Sequence, residues 1–502
     1  MDARIEQLKK RTYKVDHLQS TLNILEWDMS VNMPQKGALP RSETTSFLNT
    51  LKHEIMVNID HDGILTSLKK DLDAGKLSEQ DSVMVTQVWR RFERTQKVPE
   101  DFVREQSKLE SESHKVWEEA REKSDFQIFK PYLEKIVELK RKETEFVGYD
   151  DSPYDALLDI FEPEMTEKEA GSILSDIRDF SVPFLKEIQS TSLEIDETKS
   201  HGHFPINEQV ELNKYLAQML GFDFDAGRLD VSTHPFSVGF HAHDVRITTR
   251  YREGDIWYSI SPTVHETGHG LYEQGLPHEH FGTFLAEAIS MGIHESQSKI
   301  WETQIGASPE FVEAIYPELQ KRFPKPFAGL DKAEFYRIIN KVTPSLIRVE
   351  ADELTYNLHI IIRFEIEKAL IKGEIKVEDL PEIWNAKYKE YIGVEVPNDK
   401  LGVLQDVHWS MGYIGYFPTY SFGNLYASQF YFKLREDIKD IDKKISSGQF
   451  SEIREWLRKK IHMHGKTLTA KQLIKEVTKE ELNSKYFVKY IKDKYSKIYN
   501  LK

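Results

Sequence analysis

The stretch Thr263-Val264-His265-Glu266-Thr267-Gly268-His269-Gly270-Leu271-Tyr272 decides how this chain is interpreted. An α-helix turns by about 100° per residue, so residues four apart point in nearly the same direction. His265 and His269 can therefore aim their nitrogens at one cation, because neutral imidazole is a good ligand for zinc-type ions. Glu266 projects from nearly the same side, where it can take a proton from a water molecule beside the metal.

The residues around this motif favour a helix. Ser261 as N-cap and Pro262 at the first helical position predict where it begins. Val264, Gly268 and Leu271 add an apolar side for packing. The alternative is a packed or surface helix without a metal, because His-Glu-x-x-His also arises by chance in a chain with 18 histidines.

The composition is that of a soluble globular protein, with 39% hydrophobic and 30% charged residues in a chain of 502. A net charge of -15 argues against nucleic acid as a partner, because phosphate binding needs a basic surface. The absence of cysteine excludes disulfides and thiolate metal ligands. We find no signal peptide and no apolar run long enough to span a membrane, so we expect a cytoplasmic protein without a membrane partner.

Apolar residues recur with helical spacing over most of the chain. The helical pattern extends to about residue 146, with a break at residues 32–37, and residues 148–163 are expected to form a connector. Thr166 and Glu169 predict a capping box at the start of a helix that ends near Gln189. A helix is also predicted over residues 350–370, and Lys- and Glu-rich helices over the last segment of the chain.

Extended segments are predicted between residues 231 and 258, from alternating apolar residues and a turn at residues 252–255. These segments predict a small antiparallel sheet that ends with a strand at Ile256-Trp257-Tyr258, directly before the metal helix. An edge strand of this sheet could hold an extended peptide. The expected fold is mainly α, with one small antiparallel β-sheet next to the His-Glu-x-x-His helix.

A third metal ligand is expected on the following helix, because a catalytic zinc usually takes three protein ligands and leaves one position for water. Glu287 and Glu295 are eight residues apart, and their spacing does not choose between them. The small and uncharged neighbours of Glu295 favour its burial, where a carboxylate needs a cation as partner. The alternative for Glu295 is a surface or salt-bridged glutamate.

Six elements of the sequence together resemble the carboxypeptidase Taq family of metallocarboxypeptidases. They occur in order and intact: His234-Pro235-Phe236, Asp244-Val245-Arg246-Ile247-Thr248, His265 to His269, His294-Glu295-Ser296-Gln297, Ile347-Arg348-Val349-Glu350-Ala351-Asp352, and Gly402 to Trp409. The resemblance implies that Glu295 is the third ligand. It also implies a largely helical subunit with a deep cleft that pairs as a homodimer, and an enzyme that releases C-terminal residues with broad specificity but acts poorly on proline.

Recognition of a free C-terminal carboxylate is best performed by a guanidinium group through paired hydrogen bonds. Arg348 is the first candidate because its neighbours predict an apolar helix face, whereas Arg246 has Asp244 nearby. The alternative is that Arg348 forms a plain helix salt bridge with Asp352, four residues on. Gln405 and Asp406 are expected to orient neighbouring groups.

A negative charge that develops on the substrate oxygen needs a hydrogen-bond donor besides the metal. His234, His408 and Tyr420 are the candidates, and the alternative for each is an ordinary buried hydrogen bond.

These observations predict a metal-dependent carboxypeptidase that cleaves peptides with a free C-terminus, with Glu266 as general base. One divalent metal per subunit is expected, zinc or alternatively cobalt. The chain is expected to form one catalytic domain over residues 1–502, with a helical part to about 225, the sheet and metal site over about 226–430, and C-terminal helices from about 431. The alternatives are a zinc oligopeptidase or endopeptidase, and a helical scaffold with a structural metal.

Overall fold

A computed structural model describes residues 2–501 and shows a mainly helical protein. The first third consists of six helices, and α1 begins where the Asp2 carboxylate accepts a hydrogen bond from the backbone N–H of Arg4 at 2.9 Å. Helices α1 to α4 enclose an apolar cluster of their own, which Phe284 and Leu285 join from the middle of the chain. The six helices are α1 (Ala3–Val31), α2 (Ala38–Val57), α3 (Ile64–Asp73), α4 (Glu79–Lys97), α5 (Glu100–Lys123) and α6 (Phe126–Val147).

Three more helices precede the sheet: α7 (Pro153–Phe161), α8 (Glu167–Gln189) and α9 (Ile206–Leu220). The capping box of Thr166 and Glu169 is confirmed, as is the end of α8 at Gln189. The prediction of a connector over residues 148–163 is wrong for α7. There Ser152 caps the helix and Pro153 occupies its first position, so turn-forming residues start a helix.

The sheet has the strands β1 (Gly227–Val231), β2 (Ser237–His241) and β3 (Asp244–Thr249), in the order β1-β3-β2. It is mixed, and the prediction of a wholly antiparallel sheet is corrected. β2 and β3 form an antiparallel hairpin, whereas β1 pairs with β3 in parallel, because the chain reverses between β1 and β2. The outer edge of β2 is partly closed by α1, since Ser20 Oγ donates to the Phe240 carbonyl at 2.7 Å and Asn23 to that of Gly239 at 3.0 Å.

The helix with the His-Glu-x-x-His motif, α10 (Trp257–Gly275), starts earlier than predicted. The Asp255 carboxylate accepts hydrogen bonds from the backbone N–H groups of Trp257 and Tyr258 at 3.0 and 3.3 Å, and so begins the helix there. The strand predicted over residues 256–258 is therefore wrong, and so is the N-cap at Ser261. Pro262 lies inside the helix.

The rest of the chain is helical and builds most of the main core. α11 (Met291–Lys299) continues into a π-helical segment at Ile300–Gly306. Then follow α12 (Pro309–Arg322), α13 (Lys332–Ile339), α14 (Glu353–Lys372), α15 (Leu380–Tyr391), α16 (Pro418–Asp437), α17 (Ile441–Ser446), α18 (Ser451–Lys460), α19 (Ala470–Thr478) and α20 (Lys485–Tyr499). Within the described chain, none of the helices combines the length and apolarity needed to cross a membrane.

Candidate metal centre

Two histidines of α10 and one glutamate of α11 converge on a single point. The Nε2 atoms of His265 and His269 lie 3.8 and 3.4 Å from Glu295 Oε2. The ligand atoms of the three residues all lie within 4.8 Å of one another. Two imidazole nitrogens and one carboxylate oxygen form a donor set that suits a divalent ion such as zinc, and the residues present therefore fit the expected metal.

Glu287, the other carboxylate left open by the spacing argument, lies elsewhere. It forms ion pairs with Arg91 and, at 3.1 Å, with Lys466 Nζ. Burial alone would raise the pKa of Glu287, but these two cations lower it to about 2. Glu287 therefore neutralises cations between α4 and the C-terminal part of the chain.

Close packing of helices brings the three side chains together. A Cβ atom at Gly268 would lie 2.7 Å from the Gln297 carbonyl, so glycine lets α10 approach α11. Gly423 lets α16 approach Glu295 closely, because a Cβ at this position would overlap the Cβ and Cγ of the Glu295 side chain. At the start of α11, the buried Glu162 carboxylate accepts hydrogen bonds from Gly292 N–H and the Tyr426 hydroxyl, each at 3.0 Å.

We expect Gly423→Ala to weaken metal binding, because the added methyl group displaces Glu295. Overpacking of this kind costs about 1–3 kcal/mol of stability. The affinity for zinc should fall roughly 10- to 100-fold, as for the loss of groups that orient ligands. Competition with a chromophoric chelator measures this. The control is Gly171→Ala in α8, where the new Cβ would meet Phe364 at an ordinary 3.8 Å. Equal zinc affinity in the two variants would contradict the packing argument.

A second carboxylate holds His265 from behind. His265 Nδ1 and Glu302 Oε2 are 2.7 Å apart, which fixes the Nδ1–H tautomer and leaves Nε2 free as a ligand. Lys299 Nζ lies 2.8 Å from Glu302 and 3.9 Å from Glu295, between the two carboxylates. Burial lowers the pKa of His265, but the carboxylates of Glu302 and Glu295 outweigh it and raise that pKa, so a metal that binds Nε2 displaces a proton from it.

Glu302 and Lys299 were missed by the sequence argument, although a signal existed. Glu295, Lys299 and Glu302 are spaced by four and three residues, which places them on one face of a helix. A cation between two acids, one of them the candidate metal ligand Glu295, indicates a group that supports this ligand.

We expect Glu302→Gln to reduce zinc affinity roughly 10- to 100-fold, the usual effect of removing a carboxylate that orients a ligating histidine. The amide keeps the shape of the side chain but loses its charge, so His265 is held less firmly. Glu279→Gln is the control, because it removes the same charge from a side chain that is 56% exposed. Competition titration with a chelator compares them, and an unchanged affinity in Glu302→Gln would contradict the orienting role.

Glu266 lies deep in the site, and one oxygen of its carboxylate has no hydrogen-bond partner among the described residues. The residue is 5% exposed, and among residues 2–501 no group donates a hydrogen bond to its Oε2. Burial raises the pKa of Glu266 to about 7. A carboxylate with such a pKa is suited to accept and return a proton near neutral pH.

Arg348 is placed differently from the prediction. It lies in a short 3₁₀ turn, Arg348–Glu350, before α14 and not on an apolar helix face. The alternative prediction of a salt bridge between Arg348 and Asp352 is wrong. Asp352 caps α14 by accepting hydrogen bonds from the N–H groups of Leu354 and Thr355. Arg348 Nε instead donates to Asp406 Oδ1 at 3.0 Å.

A second arginine, Arg363, also binds the Asp406 carboxylate that pairs with Arg348. The fully buried Arg363 donates through Nε to Asp406 Oδ2 at 2.7 Å and through a terminal nitrogen to Gln405 Oε1 at 2.8 Å. Gln405 Oε1 also accepts from the backbone N–H of Arg348 at 3.1 Å. One carboxylate thus faces two guanidinium groups, so the group keeps a net positive charge that an anionic substrate terminus could use. Sequence reasoning missed Arg363, whose signal is a cation within the apolar run Ile360-Ile361-Ile362-Arg363-Phe364.

Tyr356 lies between Arg348 and Lys299, the lysine beside the candidate metal ligands. Its hydroxyl accepts a hydrogen bond from Arg348 at 3.2 Å, and the Lys299 ammonium group lies 5.1 Å from its ring centre. Tyr420 also lies beside Arg348, whose guanidinium is 4.9 Å from its ring, and the Tyr420 hydroxyl is 3.3 Å from His408 Nε2. Of the candidate donors, Tyr420 therefore adjoins Arg348, and His408 adjoins Tyr420.

The remaining candidates lie with the sheet. Arg246 donates to Asp244 at 2.9 Å and covers the Trp27 ring at 4.8 Å, so its charge is paired locally. His234 is exposed in the segment between β1 and β2, where its carbonyl accepts from Ser232 Oγ at 2.7 Å. Neither Arg246 nor His234 contacts Arg348, Asp406 or Arg363 in the structure.

Comparison with known proteins finds relatives over nearly the whole chain. The family model described as carboxypeptidase Taq (M32) metallopeptidase matches residues 7–495. The chain is 40% identical to carboxypeptidase 1 of Bacillus subtilis, with 97% of each chain covered. It is 38% identical to thermostable carboxypeptidase 1 of Pyrococcus furiosus, with 97% of this chain and 96% of that one covered. A solved structure of a Pyrococcus furiosus carboxypeptidase superposes with a TM-score of 0.95 at 36% identity, with 99% of each chain covered.

Proposed function

Because the chain belongs to the carboxypeptidase Taq (M32) family of metallopeptidases and is a metal-dependent carboxypeptidase, we propose that His265, His269 and Glu295 hold one divalent metal and that Glu266 is the general base. The convergence of two Nε2 atoms on Glu295 Oε2 carries this proposal. We propose zinc as the metal, with cobalt as the alternative, because two imidazoles and a carboxylate accept either ion.

The bound ion would supply a Lewis acid that acidifies a water molecule and polarises the scissile carbonyl. The chain's own residues perform the other steps. Glu266 accepts the proton of the attacking water and then gives it to the nitrogen of the leaving amino acid, so that the C–N bond breaks and a free amine forms. Glu302 holds the His265 ring in place throughout, and Lys299 keeps Glu302 and Glu295 ionised.

Arg348 would bind the substrate's terminal carboxylate. Its guanidinium is already oriented by Asp406 and Tyr356, which reduces the entropy lost on binding. Tyr356 lies between this group and Lys299 of the metal centre, so the carboxylate would be held next to the last peptide bond. Tyr420 and His408 are proposed as donors to the substrate oxygen, because Tyr420 adjoins Arg348 and His408 adjoins Tyr420. We give His234 and Arg246 secondary roles in substrate binding.

The broader expectations also remain proposals. We propose one catalytic domain, a homodimer, a cytoplasmic location, and broad specificity with poor release of proline. The resemblance of the six sequence elements to the family supports the dimer and the specificity.

The decisive experiment compares one peptide with a free C-terminus and the same peptide as its C-terminal amide. Protein loaded with zinc or cobalt is incubated with each, and the products are followed by mass spectrometry. Stepwise shortening of the free acid alone is the expected result. Internal cleavage of both peptides would favour an oligopeptidase or endopeptidase, and no cleavage with either metal would favour a scaffold with a structural metal.

A further inference from the structure

A cavity lies beside the π-helical segment Ile300–Gly306, which directly follows the helix that carries Glu295. It has a volume of about 500 Å³, within the range of small-molecule sites. Its walls come from that segment and from α12, α13, α16, α17 and α20. The described residues that line the cavity include neither a proposed metal ligand nor Arg348. The cavity is therefore separate from the proposed catalytic site.

Three tyrosines form the walls of this cavity: Tyr336, Tyr431 and Tyr490. Aromatic rings provide large apolar contact surfaces with little loss of side-chain entropy. The walls therefore suit a ligand with an aromatic or large apolar group.

The cavity also contains polar groups of both signs that lack partners in the described part of the chain. Gln304 is 3% exposed, and its Oε1 accepts no hydrogen bond although its Nε2 donates to Ser428 Oγ at 3.2 Å. At the rim of the cavity, the exposed Lys439 and Lys497 have no carboxylate within ion-pair distance, and Glu310 has no cation. The other carboxylates that line the cavity are paired with Lys433, Arg435 and Lys489, in the order Glu436, Asp442 and Asp493. By contrast, the neighbouring Lys494 is paired with Glu353 at 2.7 Å.

These groups select the charge of a ligand. Two free ammonium groups favour a carboxylate, whereas Glu310 and the buried Gln304 carbonyl favour an ammonium group that donates hydrogen bonds. A ligand that satisfies both sets is a zwitterion. We propose that this cavity is a second binding site for a free α-amino acid with an aromatic or large apolar side chain.

The position of the cavity connects it with the metal centre. Gln304 follows Glu302 by two residues in the same π-helical segment, and Glu302 holds His265. Tyr490, a wall residue, donates its hydroxyl hydrogen to the Thr303 carbonyl at 2.9 Å. An amino acid bound to Gln304 thus restrains the segment that orients a metal ligand, and its binding is coupled to metal affinity. This coupling rests on the proposed function, whose product is itself a free amino acid.

The test is a calorimetric titration of L-phenylalanine into the zinc-loaded wild type, Arg348→Met, and the double variant Lys439→Glu/Lys497→Glu. Phenylacetate and 2-phenylethylamine, which each lack one charge, are the matched ligands. We expect Arg348→Met to retain cavity binding and the double variant to bind L-phenylalanine at least tenfold more weakly. The two matched ligands should bind more weakly than L-phenylalanine to the wild type.

The double variant must cleave the free-acid peptide at the wild-type rate without added amino acid, which shows that its fold is intact. Equal L-phenylalanine binding by wild type and double variant would overturn the proposal, as would loss of all binding in Arg348→Met. An unchanged zinc affinity in the presence of saturating L-phenylalanine would overturn the coupling. If the wild type cleaves no peptide, the proposed function fails, while the titrations still decide the cavity site and circular dichroism of the double variant replaces the activity control.

Discussion

Replacing Glu266 by Gln should lower kcat roughly 10³-fold, because the variant loses the proposed general base for the attacking water. Glutamine has nearly the same shape, so the proposed metal ligands on either side, His265 and His269, keep their places on α10. Zinc content measured by mass spectrometry should equal that of the wild type. Steady-state rates on a free-acid peptide at saturating zinc measure the loss.

The isolation of Glu266 makes this variant informative. No described group donates a hydrogen bond to its Oε2, so the substitution breaks no visible hydrogen bond at that atom. The thermal midpoint should therefore change little. Glu279→Gln, with the same chemical change at an exposed position, should keep full activity. A Glu266→Gln enzyme with both wild-type zinc content and wild-type kcat would remove Glu266 from the proton path.

Features set by neighbouring residues were predictable from the sequence. The alignment of His265 and His269 follows from the pitch of an α-helix, and the capping box at Thr166 depends on residues three apart. The mainly helical fold likewise follows from apolar spacing within each segment. These features need no knowledge of which segments meet in space.

Features that depend on distant segments were not predictable in the same way. The parallel pairing of β1 with β3 depends on where the chain turns back between β1 and β2. The Asp406 that holds Arg348 is 58 residues away in the chain, whereas the considered partner Asp352 was four residues away. The start of α10 was misplaced because Pro262 is typical of a first helical turn, while Asp255 provides hydrogen-bond acceptors earlier.

The choice between Glu287 and Glu295 shows how the resemblance and the geometry complement each other. Spacing left both open, because residues eight apart can share a helix face. The structure pairs Glu287 with Arg91 and Lys466 and places Glu295 beside both histidines. Arg91 and Lys466 hold Glu287 away from the histidines, whereas Glu295 lies beside both, so Glu295 is the carboxylate placed to share a metal with them.

Replacing Arg348 by Met should lower kcat/KM on free-acid peptides roughly 10²-fold, because two hydrogen bonds between charged groups contribute about 3 kcal/mol. The same variant should cleave the corresponding amide no more slowly than the wild type, whatever that low rate is. The ratio of the rate on the free acid to the rate on the amide should therefore fall strongly. A general loss of folding would lower both rates and leave this ratio unchanged. Zinc content should remain unchanged, because Arg348 does not contact the proposed ligands.

Two further variants separate charge, geometry and position. Arg348→Lys keeps the charge but not the paired donors, and its rate on the free acid should lie between those of Met and wild type. Arg246→Met removes the other candidate, which is already paired with Asp244, and should change the acid-to-amide ratio little. Arg363 still faces Asp406 in the Arg348 variants, so that buried carboxylate keeps a cation and the protein should stay folded. If Arg246→Met collapsed the ratio and Arg348→Met did not, the carboxylate would be recognised at the sheet and the assignment of the two arginines would be reversed.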